Sequence, residues 1–227
     1  NPDTRPHVYL FKWLLITTPV FSLLFFILGI LLLFKRYKDP LYFLFFSSLA
    51  LQTALYLIVK PNIYNGLRHY LFYLVNIIVI AGLALIELLQ HLEKRFVKKF
   101  ILFAFITTTA ITTLKMWKFH PYEYIYFNTL YGDLQKAEGE FPLDYWGASY
   151  KESADWIINS GKDLEDIKVY TCNSSFAVDY YGRGYYKLVD SKTEADYLIC
   201  QNNLEKYQIA YQVKRAGAIL NTVYVPK

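Results

Sequence analysis

The chain has 227 residues, of which 55% are hydrophobic and 19% aromatic, and its formal net charge at pH 7 is +5. The apolar residues are concentrated in the first half, whereas the second half is polar and rich in tyrosine, which indicates a membrane part followed by a water-exposed part. The basic residues lie in short loops between apolar runs, a pattern typical of membrane topology that disfavours nucleic acid as a partner.

Four apolar runs in the first half predict an α-helical membrane domain over residues 1–117. Each run has close to or above the roughly 18 residues that a helix needs to cross a bilayer. Pro19 lies inside the first run and predicts a kink there, because proline is tolerated in membrane helices. The four predicted transmembrane helices cover about residues 10–34, 41–59, 68–90 and 100–117.

The segment Lys60–Tyr70 (KPNIYNGLRHY) is a polar break between the second and third runs. Asn65 is a predicted N-cap of the third helix, which would put Arg68 and His69 in the first helical turn. One interpretation is that these two residues anchor the helix among lipid headgroups. The other is that they hold a phosphate, because free backbone N–H groups and the positive end of the helix dipole meet there.

Residues 118–227 predict a small α/β domain outside the membrane, because a helix, a strand, a short helix or turn, a second strand and a final hairpin follow one another. The final two strands are separated by a glycine-containing turn, which predicts a hairpin. The predicted elements are a helix over 148–160, strands over 167–172 and 195–200, a short helix or turn over 176–181, and a hairpin of 209–213 and 218–225.

Cys172 and Cys200 each end a predicted strand. If the two strands are neighbours, a disulfide is geometrically feasible. Two buried free thiols explain the pattern equally well. The spacing resembles no zinc site.

The two dense basic loops, 35–39 and 91–99, predict that these loops face the cytoplasm. The N-terminus and the α/β domain are then extracytoplasmic. The only methionine is Met116, so residue 1 is not an initiator. We therefore expect an integral membrane protein of which this chain is the C-terminal part, following an upstream segment; a separately processed subunit is the alternative.

Four stretches carry a resemblance to a known enzyme class, and together they extend over most of the chain. They are TRPHVYLFKWLLITTP (4–19), YNGLRHYLF (64–72), HPYEYIYFN (120–128) and DYWGASYKE (144–152). On these residues the chain resembles the C-terminal half of a GT-C-type polyprenyl-phosphate-sugar glycosyltransferase. The nearest group is the bacterial relatives of dolichyl-phosphate-mannose protein mannosyltransferases.

The resemblance implies transfer of a sugar from a polyprenyl-phosphate carrier to an acceptor at the outer membrane face, with Arg68 and His69 as ligands of the carrier phosphate. The acidic catalytic motif of such enzymes is absent from this chain and is expected upstream. The resemblance leaves open whether the activity requires a divalent metal. The partners that it implies are membrane lipid, lipid-linked sugar and an upstream segment or partner membrane subunit. Further candidates for substrate contact are His120, Tyr122, Glu123, Asp144 and Trp146.

For the two acids among these candidates we favour structural roles. Glu123 is expected to pair with a base or the backbone, and Asp144 is expected to cap a turn. Two other functions stay open for the whole chain. One is a non-catalytic membrane subunit that keeps the scaffold of a glycosyltransferase. The other, a transporter or channel element, is disfavoured because no predicted span carries an ionisable residue near its middle.

Overall fold

A computed structural model of the chain describes residues 6–61, 66–144, 147–160 and 167–227, with side chains from Val8 onward. It divides into two compact units, a helical unit (Asn1–Met116 with Tyr126–Asp133) and an α/β unit (Trp117–Ile125 with Leu134–Lys227). The helices are α1 Pro6–Thr17, α2 Val20–Arg36, α3 Pro40–Val59, α4 Leu71–His91, α5 Arg95–Phe119, α6 Asp133–Ala137, α7 Tyr150–Ile158 and α8 Ser175–Gly182. The strands are β1 Lys168–Thr171, β2 Lys187–Leu188, β3 Tyr197–Cys200, β4 Tyr207–Arg215 and β5 Ala218–Pro226.

Three segments of the helical unit have the length and apolar composition of a membrane span. They are α3, the stretch Arg68–His91 that contains α4, and α5. Many of their large apolar side chains are exposed, among them Phe43, Ile78 and Phe103. An apolar surface of this extent is typical of helices that contact lipid. The chain is therefore a membrane-associated protein.

The prediction of one kinked helix over 10–34 is wrong, because the chain forms two helices there. Helix α1 ends at Thr17 and α2 starts at Val20. Between them Pro19 has an extended backbone, with φ −54° and ψ 136°. Proline has no N–H to donate and restricts the residue before it to extended conformations, so the helix stops instead of bending.

Helix α2 runs parallel to α4 inside the helical unit. Gly29 faces Ile80, and Arg36 at the end of α2 donates through Nε to Glu87 Oε1 at 2.9 Å. Gly29 and Ile80 are 51 positions apart in the sequence (80 − 29), and so are Arg36 and Glu87 (87 − 36). The two helices therefore run in the same direction and stay in register to their ends. Glu87 is thus paired with Arg36 near the end of α4 and lies close to His91.

Gly29 allows the backbones of α2 and α4 to approach closely. A Cβ at this position would lie 2.5 Å from Ile80 Cγ2 and 2.9 Å from the Ile80 carbonyl oxygen. The second atom belongs to the backbone, so the helices themselves would have to move apart. Small residues at helix interfaces have this role in membranes.

We expect Gly29→Ala to destabilise the helical unit by about 1–3 kcal/mol, the usual cost of overpacking. Gly82→Ala is the matched control, because nothing lies within 4 Å of a Cβ at Gly82. Alanine favours a helix over glycine, so Gly82→Ala should be neutral or stabilising by up to about 1 kcal/mol. Thermal unfolding of the full chain in micelles, followed by gel filtration, measures both. Equal midpoints for the two variants would contradict this account.

The α/β unit contains a five-stranded sheet with the strand order β2-β1-β3-β5-β4. Strand β1 pairs in parallel with β2 on one side and with β3 on the other. The pairs β3–β5 and β5–β4 are antiparallel. The predicted strands and the final hairpin are confirmed, with the hairpin turning at Ala216 and Gly217. Strand β2 and helix α6 were not predicted, since each is too short to produce a recognisable pattern.

Helices α7 and α8 lie on one face of this sheet and bury its main core. Tyr150 and Ile157 of α7 and Val178 of α8 pack with Val169 and Val223 of the strands. Every second residue of a strand faces the same side, so Thr222 and Tyr224 of β5 face the opposite side.

Cys172 and Cys200 form a disulfide, with the two Cα atoms 5.0 Å apart. Cys200 ends β3 and Cys172 follows β1, and these strands are neighbours in the sheet. The structure thus resolves the choice between a disulfide and free thiols that the sequence left open. The bond links the two strands at the ends from which their following loops leave.

Candidate functional site

Arg68 and His69 lie in a short 3₁₀ turn, Arg68–Tyr70, directly before α4. Arg68 is half-buried and His69 is exposed. Arg68 Nε donates to His69 Nε2 at 3.2 Å, so the two polar groups are held side by side. The turn joins the membrane-length helices α3 and α4, and it carries a guanidinium and an imidazole at their common end.

Aromatic packing and hydrogen bonds hold this turn in place. The Tyr70 amide donates to the Leu67 carbonyl at 2.7 Å, which closes the turn. The Tyr70 ring then packs against Tyr56 and Tyr73, with centroids 5.5 and 5.8 Å apart. The Gly66 amide, preceding the turn, donates to the Tyr9 hydroxyl at 3.0 Å. A turn held by packing and hydrogen bonds presents its charged group in a defined position.

The helix begins later than the sequence predicted. Arg68 and His69 precede the first turn of α4, because Tyr70 has φ −131° and so cannot continue a helix. The Tyr70 side chain makes no hydrogen bond that caps the start of α4. The predicted N-cap, Asn65, lies outside the described residues.

His120 and Glu123 form an exposed pair in the α/β unit, with His120 Nδ1 2.7 Å from Glu123 Oε1. The backbone hydrogen bond that Glu123 accepts from its own residue, together with His120, lowers the pKa of the Glu123 carboxyl. Pairing of Glu123 to a base is thus what the structure shows. The carboxylate is held ionised, and a surface pair of this kind contributes little stability.

Tyr122 is buried and belongs to a polar cluster with Glu152 and Arg215. Its hydroxyl donates to Glu152 Oε1 at 2.8 Å, and its burial together with Glu152 raises the pKa of this phenol. Arg215 forms a bidentate pair with Glu152. It also donates through Nε to the His120 carbonyl at 2.9 Å and lies 4.7 Å from the Tyr122 ring centroid. The cluster joins the segment around His120 to α7 and β4.

Asp144 is 5% exposed, and its carboxylate accepts from four donors. These are the Tyr124 hydroxyl at 3.1 Å, the amides of Ala148 and Ser149 at 2.9 and 3.3 Å, and the Ser149 hydroxyl. Burial raises the pKa of the Asp144 carboxyl, and these hydrogen bonds oppose that rise. Asp144 therefore closes a turn before α7, the structural role that the sequence favoured.

Trp146, the remaining aromatic candidate, lies outside the described residues. Tyr126 and Phe127 of the helical unit are buried, and Phe127 packs against Trp13 with centroids 5.8 Å apart. Tyr124 is 37% exposed. The described aromatic residues of this segment therefore serve mainly in packing.

Asn128 is a residue to which the sequence assigned no role, although it ends the stretch HPYEYIYFN. It is fully buried in the helical unit, and its side-chain Nδ2 donates to the carbonyls of Leu15 and Thr18 at 2.6 and 2.7 Å. Its backbone N–H donates to the Ile16 carbonyl at 2.8 Å. Asn128 thus satisfies the carbonyls that the end of α1 leaves without helical partners. The only signal in the sequence was an amide at the end of a distinctive stretch.

Among the described residues, no group of three or more His, Cys, Asp or Glu side chains has the proximity needed to hold a metal ion. No protein-family model, curated protein or solved structure matches the chain. The function must therefore be argued from the residues and their geometry.

Proposed function

We propose that the chain is the C-terminal part of an integral-membrane glycosyltransferase of the GT-C type. It would move a sugar from a polyprenyl-phosphate carrier to an acceptor at the outer membrane face. The observation that carries the proposal is the Arg68–His69 turn, a cationic site between two membrane-length helices. The resemblance of the four sequence stretches supports the same activity.

The proposed chemistry assigns the carrier phosphate to this turn. When the glycosidic bond to the carrier breaks, negative charge develops on the departing phosphate, and preorganised donors stabilise it. Arg68 supplies a fixed positive charge that suits phosphate oxygens. His69 supplies a further donor, and the positive end of the α4 dipole favours an anion at this position. The carboxylate base for the acceptor hydroxyl is not assigned to Asp144, whose oxygens already accept four hydrogen bonds.

We further propose that α2 is the fourth membrane span, since its 17 residues reach the lower limit of about 17 for a crossing helix. Its parallel packing on α4 supports this, because helices two crossings apart run in the same direction. The basic loops at the ends of α2 and α4 favour a cytoplasmic location there. The α/β unit is then extracytoplasmic, which the Cys172–Cys200 disulfide supports.

We expect Arg68→Ala to weaken binding of undecaprenyl phosphate by about 10- to 100-fold, because a charge-assisted hydrogen bond contributes about 1.5–3 kcal/mol. Binding is measured by native mass spectrometry of the full chain, with undecaprenol as the ligand that lacks phosphate. Lys60→Ala is the matched control, since Lys60 is an exposed cation at the end of α3, in the same loop. Sugar transfer in proteoliposomes of the complete protein should fall by about 100-fold or more with Arg68→Ala.

Equal losses in Arg68→Ala and Lys60→Ala would show a general charge effect and remove Arg68 from the mechanism. Retained binding of undecaprenyl phosphate with no transfer by the complete protein would favour the second candidate. That candidate is a non-catalytic membrane subunit that keeps the lipid-binding scaffold. The engagement of Asp144 in structural hydrogen bonds is the observation in its favour.

A further inference from the structure

An open groove of about 690 Å³ lies in the α/β unit, on the sheet face opposite α7. Its floor is formed by β4 and β5, including Gln212, Thr222 and Tyr224. One wall is the segment 138–143, and the other is the segment 201–203 that follows β3. The volume lies within the roughly 300–1,000 Å³ typical of small-molecule sites.

Hydrogen bonds hold both walls in place. Glu138 Oε1 accepts from the Ile219 amide of β5 at 3.0 Å. The Tyr224 hydroxyl donates to the Asn202 carbonyl at 3.2 Å and accepts from the Leu204 amide at 3.3 Å. Both walls are thus attached to the same strand. A site fixed in this way loses little conformational freedom when it binds a ligand.

The lining of the groove is rich in carboxamides and lacks positive charge. Four residues with amide side chains line it, and the exposed Ile209 adds an apolar residue. The charged residues among its described lining are the acids Glu138 and Glu140, and none is Lys, Arg or His. The four amides are Gln201, Asn202, Asn203 and Gln212.

We propose that this groove binds a neutral carbohydrate. A sugar hydroxyl both donates and accepts hydrogen bonds, and a carboxamide also does both, so the two groups pair in either direction. The C–H face of a sugar ring has an apolar counterpart in Ile209. Anionic ligands are disfavoured by the two acids. An extended peptide would instead pair through its backbone with an exposed edge strand such as β4.

This inference does not rest on the proposed function, because the groove uses no residue of the Arg68–His69 turn. A protein that acts on glycans, or one that docks on them, would use such a groove. The two proposals can therefore fail separately.

Binding is tested with the full chain in lipid nanodiscs, because maltoside detergents carry a competing sugar. The probes are mannobiose and chitobiose, observed by saturation-transfer NMR, with a Ser/Thr-rich hexapeptide as a third probe. We expect millimolar binding of at least one disaccharide. The double variant Asn202→Ala/Asn203→Ala should weaken it at least about tenfold, the effect of losing one or two hydrogen bonds. Both residues are exposed, so the fold is retained.

Gln208→Ala is the matched control, because Gln208 is an exposed amide on β4 that does not line the groove. This variant should leave sugar binding unchanged. Three results would overturn the proposal: no saturable binding of either disaccharide at millimolar concentration, equal binding by the double variant and the wild type, or binding of the hexapeptide alone.

Discussion

Arg215→Ala is expected to lower the free energy of unfolding of the α/β unit by about 2–4 kcal/mol, near the lower end of the cost of breaking a buried ion pair. The side chains of Arg215 and Glu152 are 18% and 30% exposed. Without the guanidinium, Glu152 keeps only the Tyr122 hydroxyl among the contacts of this cluster, and the His120 carbonyl loses its donor. Pulse proteolysis of the full chain in micelles across a urea series measures the change.

Lys151→Ala is the control for this prediction, because Lys151 forms an exposed pair with Asp155 on the same helix, at 2.8 Å. Such a pair contributes less than about 1 kcal/mol. Glu152→Gln combined with Arg215→Met should recover part of the loss and show a coupling energy of at least about 1 kcal/mol. If Arg215→Ala costs no more than Lys151→Ala, the cluster does not stabilise the unit.

The sequence predicted the elements of the α/β unit because their signals are local. Short runs of strand-forming residues marked β1 and β3, and the glycine turn at Gly217 marked the hairpin of β4 and β5. The Glu152–Arg215 pair was not predicted, since its members are 63 residues apart and nothing in either neighbourhood indicates the other. Pairing of this kind depends on the sheet order, which a single sequence does not encode in an obvious way.

In the helical unit, too, the features with a local sequence signal were predicted and those that depend on distant residues were not. Hydropathy alone indicated α3, α4 and α5, since a long apolar run has few other structures available to it. The break at Pro19 was treated as a kink, because a proline in a membrane helix is compatible with either outcome. Here Asn128, more than 100 residues away, stabilises the break by satisfying the carbonyls that it leaves open.

Of the two candidate sites, one was predicted from a local motif and the other was not predicted. Arg68 and His69 were identified from a short motif beside an apolar run, and the turn that holds them is formed largely by Tyr56, Tyr70 and Tyr73. The groove of the α/β unit gave no signal in the sequence, because its amides come from two separate segments, 201–203 and β4. Only the pairing of β3 with β5, and of β5 with β4, brings them to one surface.

Asn128→Asp is expected to destabilise the helical unit by about 3–5 kcal/mol, since it leaves two buried carbonyls without a donor and adds a buried charge. Aspartate has the shape of asparagine, but it replaces the Nδ2 donor with an acceptor that faces the carbonyls of Leu15 and Thr18. Asn128→Ala removes the donor without adding repulsion, so its cost should be smaller. Thermal unfolding of the full chain in micelles gives this order.

Asn203→Asp makes the same chemical change at an exposed position of the α/β unit and should alter stability by less than about 0.5 kcal/mol. The expected order of midpoints is therefore wild type and Asn203→Asp, then Asn128→Ala, then Asn128→Asp. A greater loss in Asn128→Ala than in Asn128→Asp would mean that the volume of the side chain matters more than its donor. In that case Asn128 would fill space beside α1, and another group would have to satisfy the carbonyls at the break before Pro19.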